Sequence, residues 1–442
     1  MKIYLETLGC PKNEIDSEVM LQELLKNNYL YTQDPHEAET IIINTCSFIE
    51  DAAQESVDTI LELALLKEKA VCKKLIVTGC LPQRYGPEIR GALPEVDVFL
   101  GTGAFHEIAK FINKDSSFYT PDVENYNFHE IELSGPRVNH NHTAYIKIAE
   151  GCNHHCTYCI IPRLRGRQKS RPVGQIVKEA LGLAKSGVKE LILIAQDTTA
   201  YGMDLKEKVN LSILLEELVT KLCDFDKEIR IRILYAYPDF LKNNFLKKIA
   251  ANDMICSYLD IPIQHVSNSV LKKMGRKYRK NDLLELIERI RNLIPDISLR
   301  TTVLLGFPGE TEEDFLELLE FVKEIKFDNL GAFAYSDADD IKSHHLKEHI
   351  SEIEKEDRLH RIMTLQSEIS YENQQKHIGK TYDVIIEGIS QDDPPMWEAR
   401  TFFQAPEIDG LTLFRGNDLQ TGSLARVRIT NAMHYDLIGE LV

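Results

Sequence analysis

Three cysteines with the chemistry of metal ligands lie within eight residues of one another, in Gly151-Cys152-Asn153-His154-His155-Cys156-Thr157-Tyr158-Cys159. Soft thiolate ligands select zinc, copper(I) or an iron–sulfur cluster. A structural zinc site usually completes four ligands from paired Cys or His units, and a bacterial ferredoxin run adds a fourth cysteine at C-x2-C-x2-C spacing. The spacing here, C-x3-C-x2-C, matches neither pattern. Three ligands on a four-iron cluster would leave one iron open to bind a small molecule, so the motif favours such a cluster over zinc.

A second set of cysteines follows three predicted strands of the amino-terminal region. Cys10, Cys46 and Cys80 come after the apolar runs Lys2–Thr7, Thr40–Asn44 and Lys74–Thr78. Helical patterns separate these runs, which predicts a parallel sheet whose ligands bind at the carboxyl ends of the strands. The alternative is that all three only pack in the core, as free cysteines often do. Their recurrence at equivalent strand ends favours a second three-cysteine site. We interpret the remaining cysteines, Cys72, Cys223 and Cys256, as packing residues.

Length, charge and hydropathy limit the classes of protein. A chain of 442 residues suggests about three domains. The sequence contains no run of 18 apolar residues, so it predicts no membrane-spanning helix. Nine cysteines without a recognisable export signal indicate a reducing, cytoplasmic location. The formal charge of −17 disfavours general binding to polyanions and suits a basic partner.

The pattern of elements predicts an α/β protein of three domains. Residues 1–132 are predicted to form an open parallel α/β domain that carries the second cysteine set. Residues 141–370 are predicted to form a βα barrel, complete or partial, whose reactive face lies at the strand carboxyl ends. Residues 372–442 are predicted to form a small antiparallel β-barrel, and the polar segment 134–142 a linker. The candidate strands of the central barrel are Ala144–Ala149, Glu190–Gln196, Ile229–Ala236, Ser257–Pro262, Ser298–Leu305 and Asn329–Tyr335.

The cysteine sets and several short sequence motifs resemble those of the methylthiotransferase family of radical S-adenosylmethionine (radical SAM) enzymes, and the resemblance covers essentially the whole chain. The branch that modifies a ribosomal protein (RimO type) is the most similar. The motifs that carry this resemblance are Cys10-Pro11-Lys12-Asn13, Ser47-Phe48-Ile49, Ile263-Gln264-His265 and Ala405-Pro406-Glu407-Ile408-Asp409-Gly410. One departure is Asp337-Ala338-Asp339-Asp340-Ile341, where the family usually has a Glu and then Gly-Thr.

The resemblance implies two 4Fe–4S clusters, one held by Cys152, Cys156 and Cys159 and the other by Cys10, Cys46 and Cys80. It implies a radical SAM barrel followed by a TRAM domain. The first cluster would bind and cleave SAM, and the resulting radical would take hydrogen from the substrate. The second would carry the sulfur that becomes a methylthio group on the β-carbon of an aspartate in small-subunit ribosomal protein twelve. No side chain is assigned a catalytic role.

The resemblance also suggests SAM contacts and partners. We expect Tyr158 near the adenine, Gln196 and Asp197 near the amino-acid end, and Gly306 and Phe307 along the ribose. The alternative for Gln196 and Asp197 is a polar turn at a strand end that binds no ligand. Arg163 and Arg165 are candidates to meet an anionic group of the substrate, or to be a solvated basic loop. The expected partners are the ribosomal protein or the small subunit, an electron donor such as flavodoxin or ferredoxin, and a sulfur donor; no membrane partner is expected.

Three alternatives stay open at this point. A methylthiotransferase acting on a tRNA adenosine (MiaB type) is the nearest, but residues 372–442 carry six basic and eleven acidic residues. Because RNA affinity depends on neutralising phosphates with Lys and Arg, contact with RNA is not favoured. A non-catalytic iron–sulfur electron carrier would need no SAM-sized opening in the barrel. A zinc-binding structural protein would differ in its metal and its optical spectrum.

Overall fold

The computed structural model describes residues 1–69, 71–125, 128 and 142–442. Its amino-terminal domain is a six-stranded, wholly parallel sheet in the order β2-β1-β3-β4-β5-β6. The strands are β1 (Lys2–Thr7), β2 (Leu30–Tyr31), β3 (Thr40–Thr45), β4 (Lys74–Gly79), β5 (Val98–Gly101) and β6 (Ser117–Tyr119). The helices are α1 (Pro11–Lys26), α2 (Glu50–Ala64), α3 (Leu66–Lys69), α4 (Cys80–Tyr85), α5 (Ile89–Ala92) and α6 (Ile108–Phe111). The predicted parallel α/β domain is therefore confirmed, and β2 and β6 are additions that the sequence did not reveal.

The central domain is a partial βα barrel. Its parallel strands form two ladders, β7-β10-β11 and β12-β13-β14, which a bridge from Ile231 to Ile255 connects. Within the described residues no ladder pairs β14 with β7. The strands are β7 (Thr143–Lys147), β8 (Ala149–Glu150), β9 (Lys169–Ser170), β10 (Glu190–Ile194), β11 (Arg230–Ile233), β12 (Tyr258–Asp260), β13 (Ser298–Leu305) and β14 (Asn329–Ala334). The helices are α7 (Ile161–Arg165), α8 (Val173–Lys185), α9 (Leu211–Cys223), α10 (Asn243–Ala250), α11 (Asn268–Lys273), α12 (Lys280–Leu293), α13 (Glu312–Ile325) and α14 (Glu352–Gln375).

The carboxyl-terminal domain is a closed barrel in the order β15-β16-β17-β19-β18. The strands are β15 (Thr381–Ile389), β16 (Trp397–Arg400), β17 (Thr412–Arg415), β18 (Leu424–Ala432) and β19 (Leu437–Leu441). The predicted small barrel is confirmed, although β17 and β19 pair in parallel while the other pairs are antiparallel. In the part of the chain that is described, no helix is long and apolar enough to cross a membrane. Except for His142, the predicted linker lies outside the described residues.

The strands of the central barrel are apolar on both faces because each face is covered by a different layer. Leu191 and Leu193 of β10 pack under the outer helices, whereas Ile192 and Ile194 face inward. The inward side chains pack against helix α1 of the amino-terminal domain, including Met20. Helix α1, which begins directly after Cys10, therefore packs on the inward side of these barrel strands.

Candidate active site

The first cysteine set lies in the loop that follows β8, and backbone contacts fix this loop. Gly151 has a φ of +79°, and an added Cβ would lie 2.3 Å from the carbonyl oxygen of Arg167. The N–H of Cys152 donates to the carbonyl oxygen of Gly166 at 3.1 Å, and the N–H of Thr157 donates to that of Met274 at 3.0 Å. Glycine is required at the entrance because any side chain would collide with backbone. The loop thus presents its cysteines at the carboxyl end of the barrel strands, as predicted.

All three cysteines are free, and the thiols of Cys152 and Cys159 are desolvated. Burial raises the pKa of Cys152 to about 11 and that of Cys159 to about 12. Thiols in this environment stay protonated at neutral pH unless a metal replaces the proton, since thiolate is the form that binds metals. The buried guanidinium of Arg276 is the positive charge that acts against this rise at both cysteines. The site is therefore suited to a thiolate-ligated centre with Arg276 balancing its charge.

Aromatic side chains and one carboxylate surround this loop. The ring of His154 stacks on Tyr237 with centroids 3.9 Å apart, and its Nε2 lies 2.7 Å from Oδ2 of Asp197. The other oxygen of Asp197 accepts the N–H of Thr199 at 2.9 Å. Asp197 therefore caps the turn after β10, and it also fixes the orientation of His154, a contact that the sequence did not reveal.

The residues predicted to contact SAM lie on the same face of the barrel. Arg276 donates to the Tyr158 hydroxyl at 2.5 Å, and the ring of Tyr158 meets Phe307 edge to face, with centroids 6.3 Å apart. Gly306 has a φ of +70°. Gln196 donates to Glu150 Oε1 at 2.7 Å, while its own buried Oε1 has no hydrogen-bond partner among the described residues. The unpaired amide oxygen of Gln196 is suited to an ammonium group, and SAM contact by these residues stays a prediction.

The second cysteine set lies at the carboxyl edge of the amino-terminal sheet. Cys10 precedes α1, Cys46 follows β3, and Cys80 begins α4. An added Cβ on Gly9, whose φ is +94°, would lie 2.6 Å from the Cβ of Cys46. Burial raises the pKa of Cys80 to about 12, and the neighbouring charges that act on it include Arg165, Cys46 and Cys10. The structure therefore brings these three cysteines together beside one buried guanidinium.

A buried ionic network joins the two cysteine sets. Lys147 and Arg165 of the central barrel both bind Asp16 of helix α1 and Glu150 of β8. Arg165 Nη1 lies 3.0 Å from Asp16 and 2.9 Å from Glu150. Burial alone would raise the pKa of Glu150, but the charges of Arg165 and Lys147 outweigh it and lower this pKa to about 2. The network fixes the amino-terminal domain on the barrel at the point between the two sites.

The two arginines of Arg163-Leu164-Arg165 have separate roles. Arg165 is committed to the buried network. Arg163 is half exposed and lies 3.2 Å from Asp340, which also binds Arg84 of the amino-terminal domain at 2.6 Å. Asp340 belongs to the segment where the sequence departs from the family pattern. This departure therefore supplies an ion pair between the two domains, and the arginines do not form a joint anion site.

The motif Ile263-Gln264-His265 follows β12, at the carboxyl ends of the barrel strands. His265 is fully buried, and its Nδ1 accepts the N–H of Ser267 at 3.0 Å. Burial lowers the pKa of His265 to about 4, so the imidazole is neutral. Gln264 has a φ of +65°, which is uncommon for a residue other than glycine. Tyr235, at the end of β11, has a φ of +60°. Such backbone conformations collect at functional sites.

Four residues near these strand ends were missed as site residues. They are Lys12 of α1 and Tyr235, Asp260 and Arg300 of the barrel. The Lys12 ammonium lies 3.3 Å from the centroid of the Tyr235 ring, and Arg300 Nε lies 3.9 Å from Asp260. In the sequence, Lys12 is notable only as part of the motif Cys10-Pro11-Lys12-Asn13, and its burial depends on how α1 packs on the barrel. No local signal in the sequence could have shown this.

The two cysteine sets fit iron–sulfur clusters better than zinc ions. Within the described residues no three Cys, His, Asp or Glu side chains converge closely enough to share a single metal ion. Tetrahedral zinc requires such convergence, whereas the thiolates on a 4Fe–4S cluster bind different irons. Six free cysteines in two groups of three, with glycines at close approaches, therefore fit two clusters better than two zinc ions.

Family models match three segments of the chain. The Radical SAM superfamily matches residues 146–322, Uncharacterized protein family UPF0004 matches residues 2–101, and the TRAM domain matches residues 378–442. These segments correspond to the central barrel, the amino-terminal sheet and the small carboxyl-terminal barrel.

Relatives with a common name match over the full length. The "Ribosomal protein uS12 methylthiotransferase RimO" of Desulfosudis oleivorans is 46% identical and covers 100% of both chains. That of Clostridioides difficile is 47% identical and covers 100% of this chain and 99% of its own. Among solved structures, the radical SAM methyltransferase TsrM of Kitasatospora setae has a TM-score of 0.56 at 15% identity, over 75% of this chain and 72% of its own. That likeness supports the fold alone.

Proposed function

Because the chain belongs to the family of ribosomal protein uS12 methylthiotransferases RimO, we propose that its two cysteine sets divide the reaction between them. Cys152, Cys156 and Cys159 hold the 4Fe–4S cluster that works with SAM. Cys10, Cys46 and Cys80 hold a second 4Fe–4S cluster that delivers sulfur. The product is a methylthio group on the β-carbon of an aspartate in protein uS12.

One observation carries this division of roles. Two groups of three free cysteines lie at the carboxyl ends of two different parallel sheets, and the network of Asp16, Lys147, Glu150 and Arg165 joins them. When bound, SAM and the clusters supply the one-electron and sulfur chemistry that activates an unreactive C–H bond. A substrate side chain placed between the sets can be reached from both.

The protein's own residues orient and shield this chemistry. Arg276 balances the negative charge of the first thiolate set and holds the Tyr158 ring through its hydroxyl. Phe307 is fully buried and, with Tyr335, closes the apolar wall on this side, their ring centroids 5.4 Å apart. Lys355 donates to the carbonyl oxygen of Tyr335 at 2.8 Å and packs against Gly306. These contacts keep water away from a reactive substrate radical, which is the part that the fold plays in cofactor chemistry.

The test is an anaerobic reaction of the reconstituted protein with SAM, a low-potential reductant, purified uS12 and bulk tRNA in one mixture. Mass spectrometry should find one methylthio group on the uS12 aspartate and none on tRNA. The variant Cys152→Ala should lose activity, and the matched control Cys223→Ala, a cysteine at the end of α9, should keep it. Modification of tRNA in place of uS12 would overturn the proposal.

A further inference from the structure

The lysine at position 12 is a buried cation near the two sites, and no carboxylate of the described residues lies within ion-pair distance of it. Lys147 binds Asp16, Arg165 binds Glu150, and Arg300 lies 3.9 Å from both Asp260 and Asp409. Lys12 is 8% exposed, and within the described residues it forms neither an ion pair nor a side-chain hydrogen bond. Its charge rests on the face of the Tyr235 ring. Cation–π contact alone does not replace the lost hydration of a buried ammonium.

The position of Lys12 is defined from both domains. It lies in the first turn of α1, two residues after Cys10, and its ammonium reaches across to Tyr235 at the carboxyl end of β11. Tyr235 is held by its N–H, which donates to Asp260 at 3.0 Å. Lys12 therefore points from the edge of the second cysteine set into the mouth of the barrel, where the proposed reaction places the substrate.

We propose that Lys12 binds the side-chain carboxylate of the substrate aspartate and so selects an acidic residue for modification. This inference rests on the proposed function. The carbon to be modified is bonded directly to that carboxylate. An ion pair with Lys12 would therefore hold this carbon close to the second cysteine set, to which Cys10 belongs. A buried charge pair of this kind gives discrimination because an uncharged analogue leaves the buried ammonium without a counter-charge. The uncharged base of a tRNA adenosine is rejected for the same reason.

The experiment compares uS12 with its target aspartate against uS12 in which asparagine replaces it. For the wild-type enzyme, kcat/KM should be about 10- to 100-fold higher with the aspartate form of uS12 than with the asparagine form. This ratio corresponds to the usual contribution of a hydrogen bond to a charged group. In Lys12→Met this ratio should fall to within about threefold, while Lys12→Arg should keep most of it. The ratio is internal to each variant, so partial loss of iron lowers both rates equally and does not change it.

Lys114→Met is the matched control, because Lys114 also stacks on an aromatic ring, at 4.3 Å from the centroid of Phe111, but is exposed and remote from the barrel mouth. Its ratio should equal that of wild type. If Lys12→Met is inactive on both substrates, direct binding of the two uS12 forms decides instead, with the same ratios expected.

Two results would overturn the inference. One is an unchanged preference for aspartate in Lys12→Met. The other is a raised KM for SAM with that preference intact, which would show that Lys12 binds the carboxylate of SAM. Failure of the proposed function looks different, because wild type itself would then leave uS12 unmodified.

Discussion

Replacing Arg165 with methionine tests whether the buried network holds the two domains together. Its four side chains are nearly inaccessible, at 0% for Lys147, 2% for Arg165, 5% for Asp16 and 4% for Glu150. Two positive and two negative charges balance in this space. Arg165→Met removes one positive charge, together with the hydrogen bond that Arg165 Nη2 donates to Asn13 at 2.5 Å. Two buried carboxylates would then share Lys147 alone.

Breaking a buried ion pair on one side costs about 3–5 kcal/mol, because an uncompensated charge stays behind. For domains of this size that loss lowers the unfolding midpoint by roughly 6–20 °C. The double variant Asp16→Asn with Arg165→Met removes one charge of each sign and leaves Lys147 paired with Glu150. It should therefore recover about 1–3 kcal/mol relative to the sum of the two single variants.

The assay is anaerobic thermal and denaturant unfolding of the four proteins in this cycle. Arg358→Met is the control, since Arg358 of α14 forms an equally buried pair with Glu310 at 2.8 Å, and neither residue belongs to the network. It should also destabilise the protein, but its effect should add to that of Asp16→Asn without coupling. Additive effects of Asp16→Asn and Arg165→Met, or a loss under about 1 kcal/mol for Arg165→Met, would refute the argument.

Four further predictions use iron content, unfolding and activity. Wild type should hold about eight irons, and replacing either cysteine set with alanine should halve this. Gly9→Ala should lose the second cluster because its Cβ would collide with Cys46, whereas Gly91→Ala, with open space, should not. Burial would raise the pKa of Glu190, but the charges of Arg232 and Arg400 outweigh it and lower this pKa to about 2. The stability that ionised Glu190 gives to the fold is therefore complete above pH 4.5 and is lost as the pH falls toward 2. Glu190→Gln should remove that part of the pH dependence of the unfolding midpoint. Arg426→Ala with Arg428→Ala should change uS12 modification less than about twofold; a large loss accompanied by lost tRNA binding would contradict the protein-substrate assignment.

The positions of all six clustered cysteines were predictable because their signals are local. Each follows an apolar strand or lies in a short spaced motif, and strand ends on one sheet edge meet in space. Strands β2, β6 and β9 were not predicted because two or three residues are too few to show a period of two.

The charged groups around the cysteines were not predictable, because their partners are distant in sequence. Arg165 and Asp16 are 149 positions apart, and Lys12 becomes buried only when α1 packs on the barrel. A polar residue in a charged helix gives no sign in sequence of which face another domain will cover. The same reason explains why Asp197, expected beside SAM, was not foreseen as the partner of His154.

The excess of acidic residues in the carboxyl-terminal barrel suits a basic protein substrate, and deletion of residues 379–442 is the most direct way to test whether this barrel selects it. The structure shows that this deletion would do more than remove a surface. Arg400 donates to Glu190 at 2.9 Å and the Tyr258 hydroxyl donates to Asp409 at 2.7 Å, both in the buried contact with the central barrel. Deletion would leave Glu190 and Tyr258 without these partners, so lost activity would report unfolding as much as lost recognition.

Surface substitutions separate the two effects, because the exposed arginines of β18 make no buried contact. Arg426 and Arg428 lie two positions apart on β18 and so share its outer face, and they are 70% and 57% exposed. Arg428 pairs with Glu440, and Arg426 lies 3.7 Å from Asp383. Acidic neighbours thus offset both charges, and a phosphate backbone approaching this face would meet little net positive potential. The electrostatic argument against RNA therefore depends on these local pairs more than on the net charge of the domain.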